Sequence, residues 1–174
     1  MNIKVRLTIL NFLEFAVWGA YLTSMGSFLA NIGLGSDIGL FYSVQGFVSL
    51  IMPALMGIVA DRFIQAQKVL SLCHLLAGTF MLLASFYCIN SEGNVHFSIL
   101  FSLYTASISF FMPTIALANS VSYNALDVAG LDAVKAFPPI RVFGTIGFII
   151  SMWIVDLSGW QTTSYQFLWS GILS

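Results

Sequence analysis

The sequence predicts an all-α integral membrane protein whose helices cross the bilayer several times, and three observations carry that reading. Of its 174 residues, 59% are hydrophobic and only 7% charged, whereas an ordinary soluble domain carries roughly a quarter charged residues. The apolar residues gather into segments of about 20, the length a helix needs to cross the hydrocarbon core. Lys and Arg keep to alternate connections between those segments. The alternating ten-residue stretches of a transmembrane barrel are absent.

The first segment covers about 5–32 and ends at Gly33-Leu34-Gly35-Ser36-Asp37. Met1 to Arg6 before an apolar run has the look of a signal peptide, but Glu14 interrupts the run, which continues to Leu29. A retained first helix fits better. The second segment covers about 38–60 and ends at Asp61-Arg62, and the third covers about 69–89 and ends at Asn90-Ser91-Glu92-Gly93-Asn94. The fourth covers about 97–118. A longer, more polar connection follows, from Asn119 to Lys135, before the fifth at about 137–157. A sixth begins near Tyr165 and is a partial helix over 165–174, too short to span. The reading is therefore five complete transmembrane helices, a truncated sixth, and a chain that is part of a longer protein.

Orientation follows from charge. Lys4 and Arg6 precede the first span, Arg62 and Lys68 flank the second-to-third connection, and Lys135 lies before the fifth span with Arg141 just inside it. The loops at 33–37, 90–95 and 158–164 hold no Lys or Arg. The basic side is the cytoplasm, which puts the N-terminus inside a multi-pass protein.

Composition also narrows function. With no Lys/Arg-rich run, no nucleic-acid partner is expected, and the lipid bilayer is the partner composition calls for. Gly-rich phosphate loops, Ser/His/Asp sets and paired carboxylates are missing, so no catalytic residues are assigned and an enzyme is not expected. Cys73 and Cys88 would lie about 22 Å apart along one helix, too far for a disulfide. His74 and His96 stand alone, so no metal and no cofactor are expected; all four residues read as helix packing or interface.

Charges inside a span are expensive and mark function by default. Glu14 lies near the middle of the first span, on a stripe with Asn11, Trp18, Tyr21 and Met25 that the spacing turns toward a hydrated interior. Its alternatives are a functional group facing that interior or a buried structural group, paired with a base or protonated. Arg141, Thr145 and Phe148 share one face of the fifth span at i, i+4 and i+7. A guanidinium fork, a hydroxyl and an aromatic ring are what a small, flat, polar ligand needs; the alternative is an internal ion pair beside ordinary packing. Gly144 and Gly147 allow close helix approach, and Pro138-Pro139 opens the helix. Gly57, Asp61, Arg62 and Lys68 can form a cytoplasmic latch, the glycine allowing tight packing and the charges a network that holds one conformational state. The alternative is a loop that only fixes topology. Asp156 and Glu92 lie near span ends, where a charge reaches water.

The stretch Gly57 to Lys68 resembles the signature loop of the major facilitator superfamily, with Ile64 in place of a second glycine and the trailing basic pair reduced to Lys68. Leu10-Asn11-Phe12-Leu13-Glu14-Phe15 with Trp18-Gly19 resembles the first helix of bacterial nucleoside:proton symporters. So do Met52 to Asp61, Phe111-Met112-Pro113-Thr114, Asn119 to Tyr123 and, most densely, Phe137 to Ile149. The resemblance covers the whole chain. It implies the N-terminal bundle of a twelve-helix transporter in the bacterial inner membrane, importing nucleosides by symport, with the proton as coupling ion and the C-terminal half of the same protein as partner. It places Arg141, Thr145 and Phe148 in the nucleoside site, with further ligand groups and a key acid in the absent half. Gln is common in that family where Glu14 stands here, so the resemblance makes Glu14 either an added or moved proton-coupling group or an ion-pair partner of Arg141. The rival readings are a symporter for another small polar solute such as a sugar, a non-transporting receptor subunit on the same fold and, third, a membrane-embedded enzyme.

Overall fold

The computed structural model describes residues 2–91 and 93–174, so Glu92 lies outside the described residues. The described chain is helical without strands: α1 (Ile3–Gly19), α2 (Met25–Asn31), α3 (Ile38–Arg62), α4 (Ala66–Asn90), α5 (Phe97–Val128), α6 (Ala133–Leu157) and α7 (Tyr165–Leu173), with short 3-10 turns at Gly35–Asp37 and Trp160–Thr162. Among the described residues four helices, α3 to α6, are long and apolar enough to cross a membrane. Their outer faces carry large apolar side chains in the open; Leu50 is 79% exposed and Leu75 65%. In water such surfaces would drive association; in lipid they meet their natural solvent, and the helices satisfy their own backbone.

Three expectations are corrected. The first segment is not one helix. It breaks at Ala20–Ser24 into α1 and α2, because the N–H groups of Thr23 and Ser24 make no backbone hydrogen bond while Met25 resumes the ladder on Tyr21. Thr23 and Ser24 hold a helix weakly there, and the Ser24 hydroxyl instead donates to Gln166 Oε1 at 2.9 Å. The polar connection is mostly helix. α5 runs on to Val128, and only 129–132 turn the chain. Asn119 to Asp127 are polar because that part of the helix leaves lipid, not because it ends; Ser122 and Leu126 remain fully buried against neighbouring helices. Pro138 and Pro139 do not open α6. The helix starts at Ala133, with the Asp132 side chain accepting from the Lys135 N–H at 3.3 Å. The prolines lie in its second turn, where two backbone bonds are forfeited.

α1 packs chiefly on α6, α4 on α5 and α7, and α3 on α5. The α1–α6 crossing is backbone against backbone. A Cβ on Gly147 would strike the Phe12 carbonyl, and one on Gly19 would strike the Phe148 carbonyl, so close approach does require those hydrogens in place of side chains. Where the basic residues gather, Leu7, Leu126, Ala133, Phe137 and Ile140 tie the start of α1 to the α5–α6 turn. Toward the opposite end, Tyr21, Phe28, Phe41, Tyr104 and Phe167 form an aromatic core, with Phe28 edge-on to Phe167 at 5.3 Å.

Candidate functional site

The α1–α6 crossing also positions the candidate ligand groups. Because Gly144 brings α1 within contact of α6, the Arg141 guanidinium lies over the Phe15 ring, 3.8 Å from its centroid. A planar cation on an aromatic face is stabilised by the ring quadrupole while its N–H fork stays available. Among the described residues Arg141 makes no ion pair; its half-buried guanidinium also has no side-chain hydrogen bond. Two turns on, Phe148 meets Trp18 edge-on with centroids 6.1 Å apart, and Trp18 in turn tilts against Phe15 at 6.3 Å. Thr145, between them, is exposed. The structure thus gathers Arg141, Thr145 and Phe148 on one uncovered face and adds Phe15 and Trp18 to it. That face offers charged donors, a hydroxyl and aromatic surfaces, the equipment for a flat polar molecule.

Glu14 is held inside the bundle. Most of its stripe does not face a hydrated interior: Asn11, Tyr21 and Met25 are fully buried and Glu14 is 2% exposed, because α5, α6 and α7 close on α1, and only Trp18 stays partly open. Glu14 Oε2 lies 2.9 Å from His74 Nε2 on α4. Thr114 on α5 donates to Glu14 Oε1 at 2.6 Å. No ion pair joins Glu14 to Arg141 among the described residues. A carboxylate inside a span is thereby satisfied by an imidazole and a hydroxyl, as buried charge requires. Its partner, His74, was read from sequence as packing. The signal that could have found it was present, since an ionisable side chain in the middle of an apolar segment is rare. Glu14 and His74 also border a cleft of about 470 Å³ between α1, α4 and α7, lined further by Leu75 and Thr79. Asn11 continues the polar seam, donating to the Leu7 carbonyl at 2.9 Å and to Ser122 Oγ at 3.4 Å.

The latch residues cluster at one end without forming a network. Asp61 and Arg62 lie in the last turn of α3 and Lys68 in the first turn of α4, all exposed, and no salt bridge joins them among the described residues. Asp61 borders a cavity of about 490 Å³ with Gln65, Ser120 and Asn124. The tight packing expected at Gly57 is not made, since a Cβ there would meet nothing within 4 Å. Asp156 is exposed near the end of α6.

Comparison with known proteins adds to this geometry. The sequence model described as nucleoside H+ symporter matches residues 1–174. The chain is 43% identical to the xanthosine permease of Escherichia coli (strain K12) over 168 residues, covering 95% of this chain and 38% of that protein. It is 40% identical to the nucleoside permease NupG of the same organism over 177 residues, covering 100% of this chain and 40% of that protein. It also superposes on the crystal structure of nucleoside transporter NupG with a TM-score of 0.89 at 38% identity, covering 99% of this chain and 42% of that one. The chain therefore spans about two fifths of the length of the curated relatives it matches.

Proposed function

The chain belongs to the nucleoside H+ symporter family, and from that membership we propose that it forms the N-terminal bundle of a longer, twelve-helix transporter that takes up nucleosides together with protons. It is a multi-pass helical membrane protein, and its relatives are permeases and transporters, not enzymes. The proposed setting is the bacterial inner membrane with the basic end of the bundle in the cytoplasm.

The observation that carries the reading is the uncovered face on which Arg141, Thr145 and Phe148 meet Phe15 and Trp18. Arg141 and Thr145 offer hydrogen bonds to ribose hydroxyls and base carbonyls, and Phe148 offers a ring on which a base stacks. The C-terminal half of the same protein closes over this face, and the ligand lies near the midplane between the halves. Glu14, held by His74 and Thr114, is the buried group of this bundle that can exchange a proton. Asp61, Arg62 and Lys68, unpaired with one another, are free to meet the second half in one state of the alternating-access cycle.

Proteoliposomes carrying the full-length transporter test this directly. An inward proton gradient is expected to concentrate radiolabelled uridine above its external level. A protonophore is expected to collapse that accumulation to equilibration. Accumulation that survives the protonophore, or that follows an imposed sodium gradient instead, would contradict proton symport.

A further inference from the structure

A third cavity, of about 360 Å³, opens between α1, α3 and α5. Three of the side chains around it carry polar groups without a use in the fold. The Trp18 indole N–H and the Asn119 Oδ1 are buried and have no hydrogen-bond partner, although an unsatisfied buried polar atom costs about 1–3 kcal/mol. Gln45, 7% exposed, has its Oε1 taken by the Tyr104 hydroxyl, which donates to it at 2.6 Å. That bond fixes the flip of the amide and leaves both Nε2 hydrogens for the cavity. Pro53 and Met112 supply apolar wall. Trp18 belongs to both sites, since its ring meets Phe148 edge-on and its side chain also lines this cavity.

We propose that Trp18, Gln45 and Asn119 form a base-reading subsite, continuous with Phe148, that takes a nucleobase by an imide edge, C(=O)–NH–C(=O). The proposal rests on the nucleoside reading of the Arg141 face. Its chemistry is a match of complements. Two donors, Trp18 Nε1 and Gln45 Nε2, and one acceptor, Asn119 Oδ1, answer an edge with two acceptors and one donor. Uracil and thymine present that edge, and hypoxanthine and guanine share its C(=O)–NH part. Cytosine presents an amino donor and a bare ring nitrogen instead, which would set donor against donor and acceptor against acceptor. Selection of this kind is strong because a mismatched ligand leaves buried polar groups unpaired.

Uridine and cytidine are the probes, because they differ only along that edge. Their affinities are measured by titration calorimetry on the full-length transporter, wild type and Gln45→Leu. The substitution is expected to weaken uridine about tenfold and cytidine by less than about threefold, so that discrimination between them falls. Because Gln45→Leu strands the Tyr104 hydroxyl, the pair Gln45→Leu with Tyr104→Phe, which removes both partners, is measured alongside as the control for folding and is expected to give the same loss of discrimination. An Asn119→Ala variant is expected to lower the uridine-to-cytidine ratio as well. Equal weakening of both nucleosides, or an unchanged ratio while Arg141→Ala still lowers uridine affinity about 10- to 100-fold, would overturn the subsite and leave the nucleoside reading standing. A wild-type transporter that binds neither nucleoside would remove both.

Discussion

Replacing Arg141 with Ala in the full-length transporter is expected to lower uridine affinity about 10- to 100-fold, the worth of one charged hydrogen bond of about 1.5–3 kcal/mol in a dry site. The reasoning is one of availability. An arginine at span depth is costly to keep, and this one lies on the Phe15 ring and makes no ion pair among the described residues. Its fork is therefore free for a ligand, while the stacking fixes where the fork points. Phe148→Ala is expected to weaken binding more than Phe148→Tyr, since tyrosine keeps the ring surface on which a base stacks. Titration calorimetry on purified, folded variants reads both effects. Uridine affinity within threefold of wild type in Arg141→Ala, a change of under about 0.7 kcal/mol, would detach Arg141 from the ligand.

The second large effect is one of stability. Glu14→Leu is expected to destabilise the bundle by about 3–5 kcal/mol, the cost of breaking a buried pair by removing one partner. The substitution leaves the His74 imidazole and the Thr114 hydroxyl facing an apolar side chain. Glu14→Gln keeps a hydrogen-bonding group toward both and is expected to fold nearly as well, which thermal unfolding in detergent can rank. The same Glu14→Gln variant is expected to bind uridine with wild-type affinity, because Glu14 is engaged by His74 and Thr114 and makes no ion pair with Arg141 among the described residues. Its uptake, by contrast, is expected to show an altered pH profile, because the carboxyl proposed to exchange a proton is gone. Loss of uridine binding as complete as in Arg141→Ala would mean that Glu14 serves the ligand. An unchanged pH profile would make the Glu14–His74 pair a structural one only.

How far the sequence could be read depended on what each signal reports. Hydropathy reports contact with lipid, so it located the apolar spans, and helical spacing placed Arg141, Thr145 and Phe148 on one face of a helix. The same hydropathy misjudged Asn119 to Asp127, since a helix that continues past the bilayer turns polar without ending. It also could not register the break at Ala20–Ser24, which takes two backbone bonds and leaves the segment apolar. Pairings across the bundle were the least legible. Glu14 and His74 are 60 residues apart and meet only because α1 and α4 pack near each other. The spacing of Glu14 in its own helix pointed to a hydrated interior because it carries no information about which neighbour covers that face. Arg141 over Phe15 was hidden for the same reason: the contact is set by Gly144 and Gly147, whose absent side chains let the two helices meet.

The central claim is that the ligand occupies the α1–α6 face and not the cleft behind α1. Photo-crosslinking of 4-thiouridine to the full-length transporter, followed by peptide mass spectrometry, tests it most directly. Adducts are expected on Phe148 of α6 and on Trp18 or Phe15 of α1, with labelling suppressed by excess uridine and lost in Arg141→Ala. Adducts that are equally competed by uridine but map to His74, Leu75 or Thr79, in the cleft between α1, α4 and α7, would contradict the account.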